Sequence, residues 1–196
     1  MLSIGKPSDA RLRRFIENQS GCSFTYADVG ATAAQPPVGF KAYEGRSQIG
    51  RGEACYRKAR AALDDWSQLR LGWLEAFPRN TPLRAGQVVV VGVRLFGLWS
   101  LNACRIIYVV DDDAPITRYG VAYGTLSDHV AIGEERFLVE WNPADDIVWF
   151  EINVFSRPRH WLARIGYPAL AYVQRRFRRE APEAMRRAVD QLTAGQ

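Results

Sequence analysis

Cysteine is scarce in this chain and badly placed for crosslinking: Cys22, Cys55 and Cys104 are odd in number and widely spaced. That excludes a complete internal disulfide framework and any CxxC metal knuckle, and it fits packed free thiols in a cytoplasmic protein. Histidine is scarcer still. His129 and His160 stand in neither an HxxxH nor an HExxH setting, so no metal site is expected. Long apolar runs are missing too. The longest, near Val88 to Val93, falls far short of a membrane span, and the opening MLSIGKPSDARLRRF has no apolar core of a secretory signal. No GxSxG elbow, GxGxxG fingerprint or GxxxxGK[ST] loop occurs, and the run Asp111 to Asp113 lacks the spaced oxygens and glycine of a calcium loop. No cofactor is therefore expected.

Lysine is almost absent, with Lys6, Lys41 and Lys58 alone, so the net charge of +5 rests on arginine. Nine arginines lie between Arg157 and Arg187. Such a cluster can attract nucleic acid or anionic lipid, but interspersed at helical period it reads first as a solvated helix face. At 196 residues, 47% hydrophobic and 24% charged, the chain has the size and composition of one soluble globular domain.

The pattern along the chain divides it. Residues 1–40 read as an N-terminal helix, capped by Ser8 and carrying Leu12, Phe15 and Ile16 on one side, followed by an irregular Gly- and Pro-rich connector packed on the rest. Residues 41–196 read as a single α+β domain. KAYEGRSQIG is a strand; the next segment is a helix whose Cys55, Ala59, Ala62, Leu63, Trp66 and Leu69 form one stripe. From Gln87 the period changes to two, with strands near Gln87–Phe96, Ser100–Val110, Thr117–Thr125, Glu134–Trp141 and Ile147–Phe155. Their connections are too short for helical crossovers, so the strands are antiparallel neighbours. A long helix follows Pro158, with Pro168 in its first turn and Pro182 expected to kink or restart it.

One residue breaks the pattern of the last hairpin. Pairing Trp141 with Val148 sets Val139 against Phe150, Phe137 against Ile152 and Glu135 against Val154. A slip by one residue would turn the aromatics toward water, so this register is preferred and Glu135 shares the apolar face. The opposite face, with Glu134, Arg136, Leu138 and Glu140, reads as mixed and wettable. A carboxylate on the apolar side needs solvent at the sheet rim, an arginine partner, or a polar spot in an internal cavity, where its pKa would be perturbed.

The middle hairpin offers companions. Arg118 on one face favours Tyr119, Val121 and Tyr123 facing inward. If Tyr108 opposes Tyr119, Cys104 meets Tyr123 and Asn102 meets Thr125, which makes a concave wall of phenols, an amide and a thiol. Arg105 then points outward, whereas a one-residue shift turns it inward as the partner of Glu135; the residue pattern admits both. At the end of the last strand, Arg157, Arg159 and His160 can hold an anion near a helix N-terminus or simply pair with sheet carboxylates.

The blocks FTYADVGAT, GLWSLNACRIIYVVDD, YGVAYGTL, GEERFLVEW and FSRPRHWLARIGYP resemble those of a bacterial and plant family, Domain of Unknown Function nineteen-ninety. The resemblance runs from about Phe24 to Arg179 and brings no catalytic residues with it. In topology the chain is similar to the START-like (SRPBCC) or birch-pollen-allergen-like helix-grip fold, in which a curved antiparallel sheet grips a long C-terminal helix around a cavity for lipids, hormones or polyketides. It departs from that fold in showing six strands instead of seven, and one longer helix followed by LRLGWLEAFPRN where two short helices are usual.

The expectation is thus a cytoplasmic binding protein for a hydrophobic or amphipathic small molecule. Phe137, Val139, Trp141, Phe150 and Ile152 form the cavity walls or the core beneath. Glu135, Asn102 and Tyr123 are its polar orienting groups, with Arg105 as counter-ion in the inward register. The alternatives are an enzyme using Glu135 as general acid or base in the same cavity, and a nucleic-acid or membrane-surface binder using the arginine-rich helix, which ranks last because no base-reading module is present.

Overall fold

In the computed structural model, residues 2–113, 115–159 and 167–194 are described, with only the backbone of 167–169 and 193–194. His160, considered above, lies outside them. The chain order is strand β1 (Leu2–Ile4), helix α1 (Asp9–Ser20), strand β2 (Lys41–Arg51), helix α2 (Gly52–Asp64), strands β3 (Leu74–Phe77), β4 (Val88–Leu95), β5 (Leu98–Asp112), β6 (Thr117–Thr125), β7 (Ala131–Asn142) and β8 (Ile147–Pro158), and helix α3 (Tyr167–Ala194). The strands make one antiparallel sheet in the order β2-β8-β7-β6-β5-β4-β3, with β1 added onto β5. The five-strand meander and both long helices follow the sequence expectation. β3 and β1 do not, because four and three residues are too few to show a period. With β3 included, the path from β2 to β3 has seven strands, which removes the departure in strand count noted above.

Local chemistry sets the joints. β2 passes directly into α2 through Gly52, whose φ of +84° a side chain would resist, and the Gly52 amide donates to the Asp146 carbonyl at 2.9 Å. Ser8 caps α1 through the Arg11 amide at 3.4 Å, and Leu12 and Phe15 then face the sheet. The helix does not restart at Pro182. α3 continues through it, and Ala181, Ala184 and Met185 on either side are buried against the core.

Two cores share the sheet. On the concave side, α2 and α3 cover inward residues of every long strand, among them Val89, Val121, Phe137, Val139, Phe150 and Ile152. Each such aromatic or branched side chain contributes about 2–3 kcal/mol by leaving water. On the convex side, α1 packs Leu12 and Phe15 on Val88, Val90, Trp99, Leu101 and Ala103. Hairpin β7–β8 has the register read from its side chains, including Glu135 opposite Val154 and Trp141 opposite Val148. Hairpin β5–β6 does not. Cys104 pairs with Thr125 and Ile106 with Tyr123, and a bulge between Ile106 and Tyr108 then sets Tyr108 opposite Ala122. The extra residue turns Tyr108 to the convex face, where its hydroxyl lies 2.8 Å from Thr32 Oγ1.

The convex face is less wettable than its residue types suggest. Glu140 is buried and pairs with Arg46 and with Arg118, the latter at 2.8 Å. Glu134 is only 2% exposed and accepts from Tyr26 Oη at 2.8 Å, from the amides of Gly30 at 2.8 Å and Thr32 at 2.9 Å, and from Thr32 Oγ1. Gly124 lies beneath the Tyr26 hydroxyl, and a Cβ there would collide with it. This one carboxylate thus ties segment 26–32 to the back of the sheet. Glu134→Ala strands those donors without an acceptor and is expected to cost about 3–5 kcal/mol. Urea denaturation checks the loss, with faster proteolysis between residues 21 and 40; a change under about 1 kcal/mol would contradict the anchor.

Candidate functional site: a cavity beneath the C-terminal helix

Along the concave face the packing changes. Toward one end α2 fills the space, and Tyr56 stacks on Trp141 at 6.4 Å. Toward the other, the sheet presents Val91, Val93 and Val154 in place of large rings, and α3 crosses above with Leu170, Val173 and Phe177. A cavity of about 140 Å³ remains there, closed at the side by the β6–β7 connection, His129 to Ala131. A dry apolar cavity of roughly this size holds a benzene-sized group.

Its polar atoms are few. Glu135 projects into it from β7, and the hydroxyl of Tyr123, opposite it on β6, donates to Oε2 at 2.6 Å. Burial raises the Glu135 carboxyl from 4.5 to about 7; the hydrogen bond from Tyr123 and the Arg178 charge on α3 pull it partly back. Glu135 keeps some accessible surface, which opens to the cavity. Burial and the same carboxylate drive the Tyr123 phenol well above its usual range, so it remains a donor. Beside them, burial and Glu135 also push the Cys104 thiol up, which makes it a poor nucleophile.

Asn102 lines the cavity but is already engaged. Its Nδ2 donates to the Val91 and Ser100 carbonyls, both at 3.1 Å, and its Oδ1 accepts from the Val130 amide at 3.4 Å. It positions the β6–β7 connection. His129, which no motif signalled, also lines the cavity. Its Nδ1 lies 2.9 Å from the Ala131 amide nitrogen and 3.0 Å from the Ala131 carbonyl oxygen, and burial holds the ring near a pKa of about 4, hence neutral. Gln174 on α3 donates to Ser156 Oγ at 3.2 Å across the cavity edge. Among the described residues no group of three or more His, Cys, Asp or Glu side chains is placed to hold a metal ion.

Of the residues read from the sequence, Glu135, Tyr123 and Asn102 are brought together at the cavity, and three are not. Phe137 is wholly buried in the core beneath, stacked on Phe150 at 6.1 Å. Trp141 lies farther along β7 under Tyr56, with its indole N–H donating to Asp146 Oδ1 at 3.1 Å. Arg105 takes the outward of its two readings. Paired with Gly124, it donates to the carbonyls of Gln19 at 3.2 Å and Ser20 at 2.7 Å and sits over the Phe24 ring at 5.6 Å. The bulge after Ile106 turns Tyr108 outward and leaves Arg105 on the outer face as well. The cation that acts on Glu135 is Arg178, hidden from strand logic because it arrives from α3.

A meandering antiparallel sheet closed by a long C-terminal helix, with a cavity between them that is mostly apolar and carries one poised carboxyl, defines a helix-grip protein. More particularly, the chain belongs to the family described as Domain of unknown function (DUF1990), whose model matches residues 25–184. It is similar to a UPF0548 protein of Dictyostelium discoideum, 33% identical over 96% of both chains, and to one of Deinococcus radiodurans, 35% identical over 96% of this chain and 98% of the relative. Among solved structures, Ara h 8.0201 covers 78% of this chain and 99% of its own at 12% identity and a TM-score of 0.46. Human STARD10 covers 95% of this chain and 81% of its own at 15% identity and a TM-score of 0.43. No helix among the described residues is long and apolar enough to cross a membrane.

Because the Glu135 carboxyl binds its proton more tightly folded than unfolded, its contribution to stability is complete below pH 4.5 and is lost as pH rises through about 7. Glu135→Gln removes that loss. Urea denaturation at pH 5 and pH 8 is expected to show the variant gaining on the wild type by up to about 3 kcal/mol across the interval.

Proposed function

We propose that this protein binds a small hydrophobic or amphipathic molecule in the space between the sheet and α3. The observation that supports this most is the cavity itself: a space of about 140 Å³ walled by valines, Leu170 and Phe177, in an otherwise close-packed interior. Polar groups on one side of it are arranged to orient a guest and not to fill the space. Glu135 keeps lone pairs that the single hydrogen bond from Tyr123 leaves unfilled, and the neutral His129 ring lines the same space. Apolar walls with a few convergent polar atoms are the usual composition of small-molecule sites. The volume suits one ring or a short branched chain, so a larger ligand leaves its remainder outside.

The poised carboxyl supports a second reading, in which the same cavity is an active site. A pKa of about 7 gives Glu135 both protonation states near neutrality, which suits a general acid or base. The two readings separate on Glu135→Gln. A binding protein keeps its ligand within a few-fold, whereas an enzyme loses turnover while retaining affinity.

The cavity reading is tested by filling it. Val93→Phe, at the edge of the cavity on β4, is expected to leave the far-UV circular dichroism intact and to weaken binding at least ~10-fold for whichever compound stabilises the wild type in a thermal-shift panel of small aromatic and aliphatic amphiphiles. A panel in which nothing stabilises the wild type, or a Val93→Phe variant that binds as tightly, would contradict this function.

A further inference from the structure

A second hollow, of about 250 Å³, adjoins the first and shares Ser156, Leu170, Gln174 and Arg178 with it. Its lining is of the opposite character. Lys41 from β2, Arg157 from the end of β8, and Arg175 and Arg178 from α3 all contribute, and among the described residues no carboxylate does. Elsewhere on α3, Arg176 and Arg179 pair with Glu180 at 2.8 and 3.3 Å, Arg187 meets Glu183 at 4.0 Å, and Arg186 donates to the Gln48 carbonyl at 2.9 Å. Arg157 and Arg175 pair with no carboxylate among the described residues, and Arg178 acts on Glu135 through its charge without a direct ion pair. Two of them are held by rings, with the Arg157 guanidinium over Phe40 at 4.6 Å and that of Arg178 over Tyr43 at 3.9 Å. Stacking fixes the plane of a guanidinium and leaves its N–H edge open to an anion. Gathering Arg157, Arg175 and Arg178 around one hollow is unfavourable unless something anionic joins them.

We infer that the ligand is an amphipathic anion, whose carboxylate or phosphate head sits among Lys41, Arg157, Arg175 and Arg178 while its apolar end enters the cavity beneath Val173 and Phe177. Arg178, which lines both hollows, lies at the junction. This rests on the binding function proposed above and specifies the charge of the ligand and the end that enters first. The head can belong to a free acid or to a membrane lipid; the chemistry that recognises it is the same.

Calorimetric titration of the full chain with hexanoate, hexyl phosphate, 1-hexanol, hexylammonium and inorganic phosphate tests the inference. The two anionic amphiphiles are expected to bind at least ~10-fold more tightly than hexanol, and hexylammonium more weakly than hexanol. The double variant Arg157→Gln, Arg175→Gln, at two exposed positions, is expected to bring the anions to the level of hexanol and leave hexanol unchanged. Hexanol binding as well as hexanoate would overturn the anionic head and leave the cavity function standing. Inorganic phosphate binding as tightly as hexyl phosphate would overturn the coupling of the two hollows. If none of the hexyl compounds bind, the inference and the cavity function fall together. Sedimentation with phosphatidylcholine vesicles, with and without phosphatidylglycerol, separates the two sources. Dependence on phosphatidylglycerol supports the anionic head as a lipid's, and binding of the short acids without vesicle binding supports it as a free acid's.

Discussion

Two neighbouring carboxylates on β7 face opposite ways, and the number of hydrogen-bond donors each meets separates structure from function. The pleat sends Glu134 to the convex face and Glu135 to the concave one. Glu134 meets four donors, two of them backbone amides, and becomes the pin that holds the 26–32 segment in place. Glu135 meets one, from Tyr123, with Arg178 acting on it from α3. A buried carboxylate with its donors supplied is a structural element. One that is left short keeps a proton near neutrality and a lone pair for something else.

The position of the cavity follows from how two helices share one face. α2 leaves β2 through Gly52 with no linker, so it must lie over the near ends of β7 and β8, where Tyr56 covers Trp141. α3 enters from the far end of β8 and reaches the core at Phe177, Ala181 and Met185. Beyond the end that α2 covers, the sheet offers Val91, Val93 and Val154 beneath α3, and the hollow is the space these smaller side chains leave unfilled. It adjoins a second hollow where β2 begins and β8 ends, lined by Arg157, Arg175 and Arg178.

Much of this arrangement is written in period and parity. Alternation along β7 and β8 gives their register, because a slip by one residue exposes three aromatic side chains, and the same alternation places Glu135 inward. Parity says which face a side chain takes but not how far along the strand the helices leave room. Phe137 and Trp141 share a face with Glu135 and nevertheless miss the cavity, Phe137 in the core beneath and Trp141 half-buried under Tyr56. The bulge after Ile106 is likewise silent in a run of β-formers, so Tyr108 was expected on the wrong side and Arg105 could be given either. Glu134 read as a wettable residue because its donors come from a connector more than a hundred residues away, and Arg178 read as one of several surface arginines because a helix's rotation over a sheet is a tertiary property.

The protonation of Glu135 in the empty cavity is the quantity on which the site turns. Carbon-13 chemical shifts of the glutamate side-chain carboxyls, followed from pH 3 to pH 9 and assigned by the signal missing in Glu135→Gln, measure it directly. A midpoint near 7 places this carboxyl in the apolar hollow with too few donors, as described. A midpoint at or below the ordinary value of 4.5 would mean that water or cations reach it freely, and the cavity would then have no poised group at its centre.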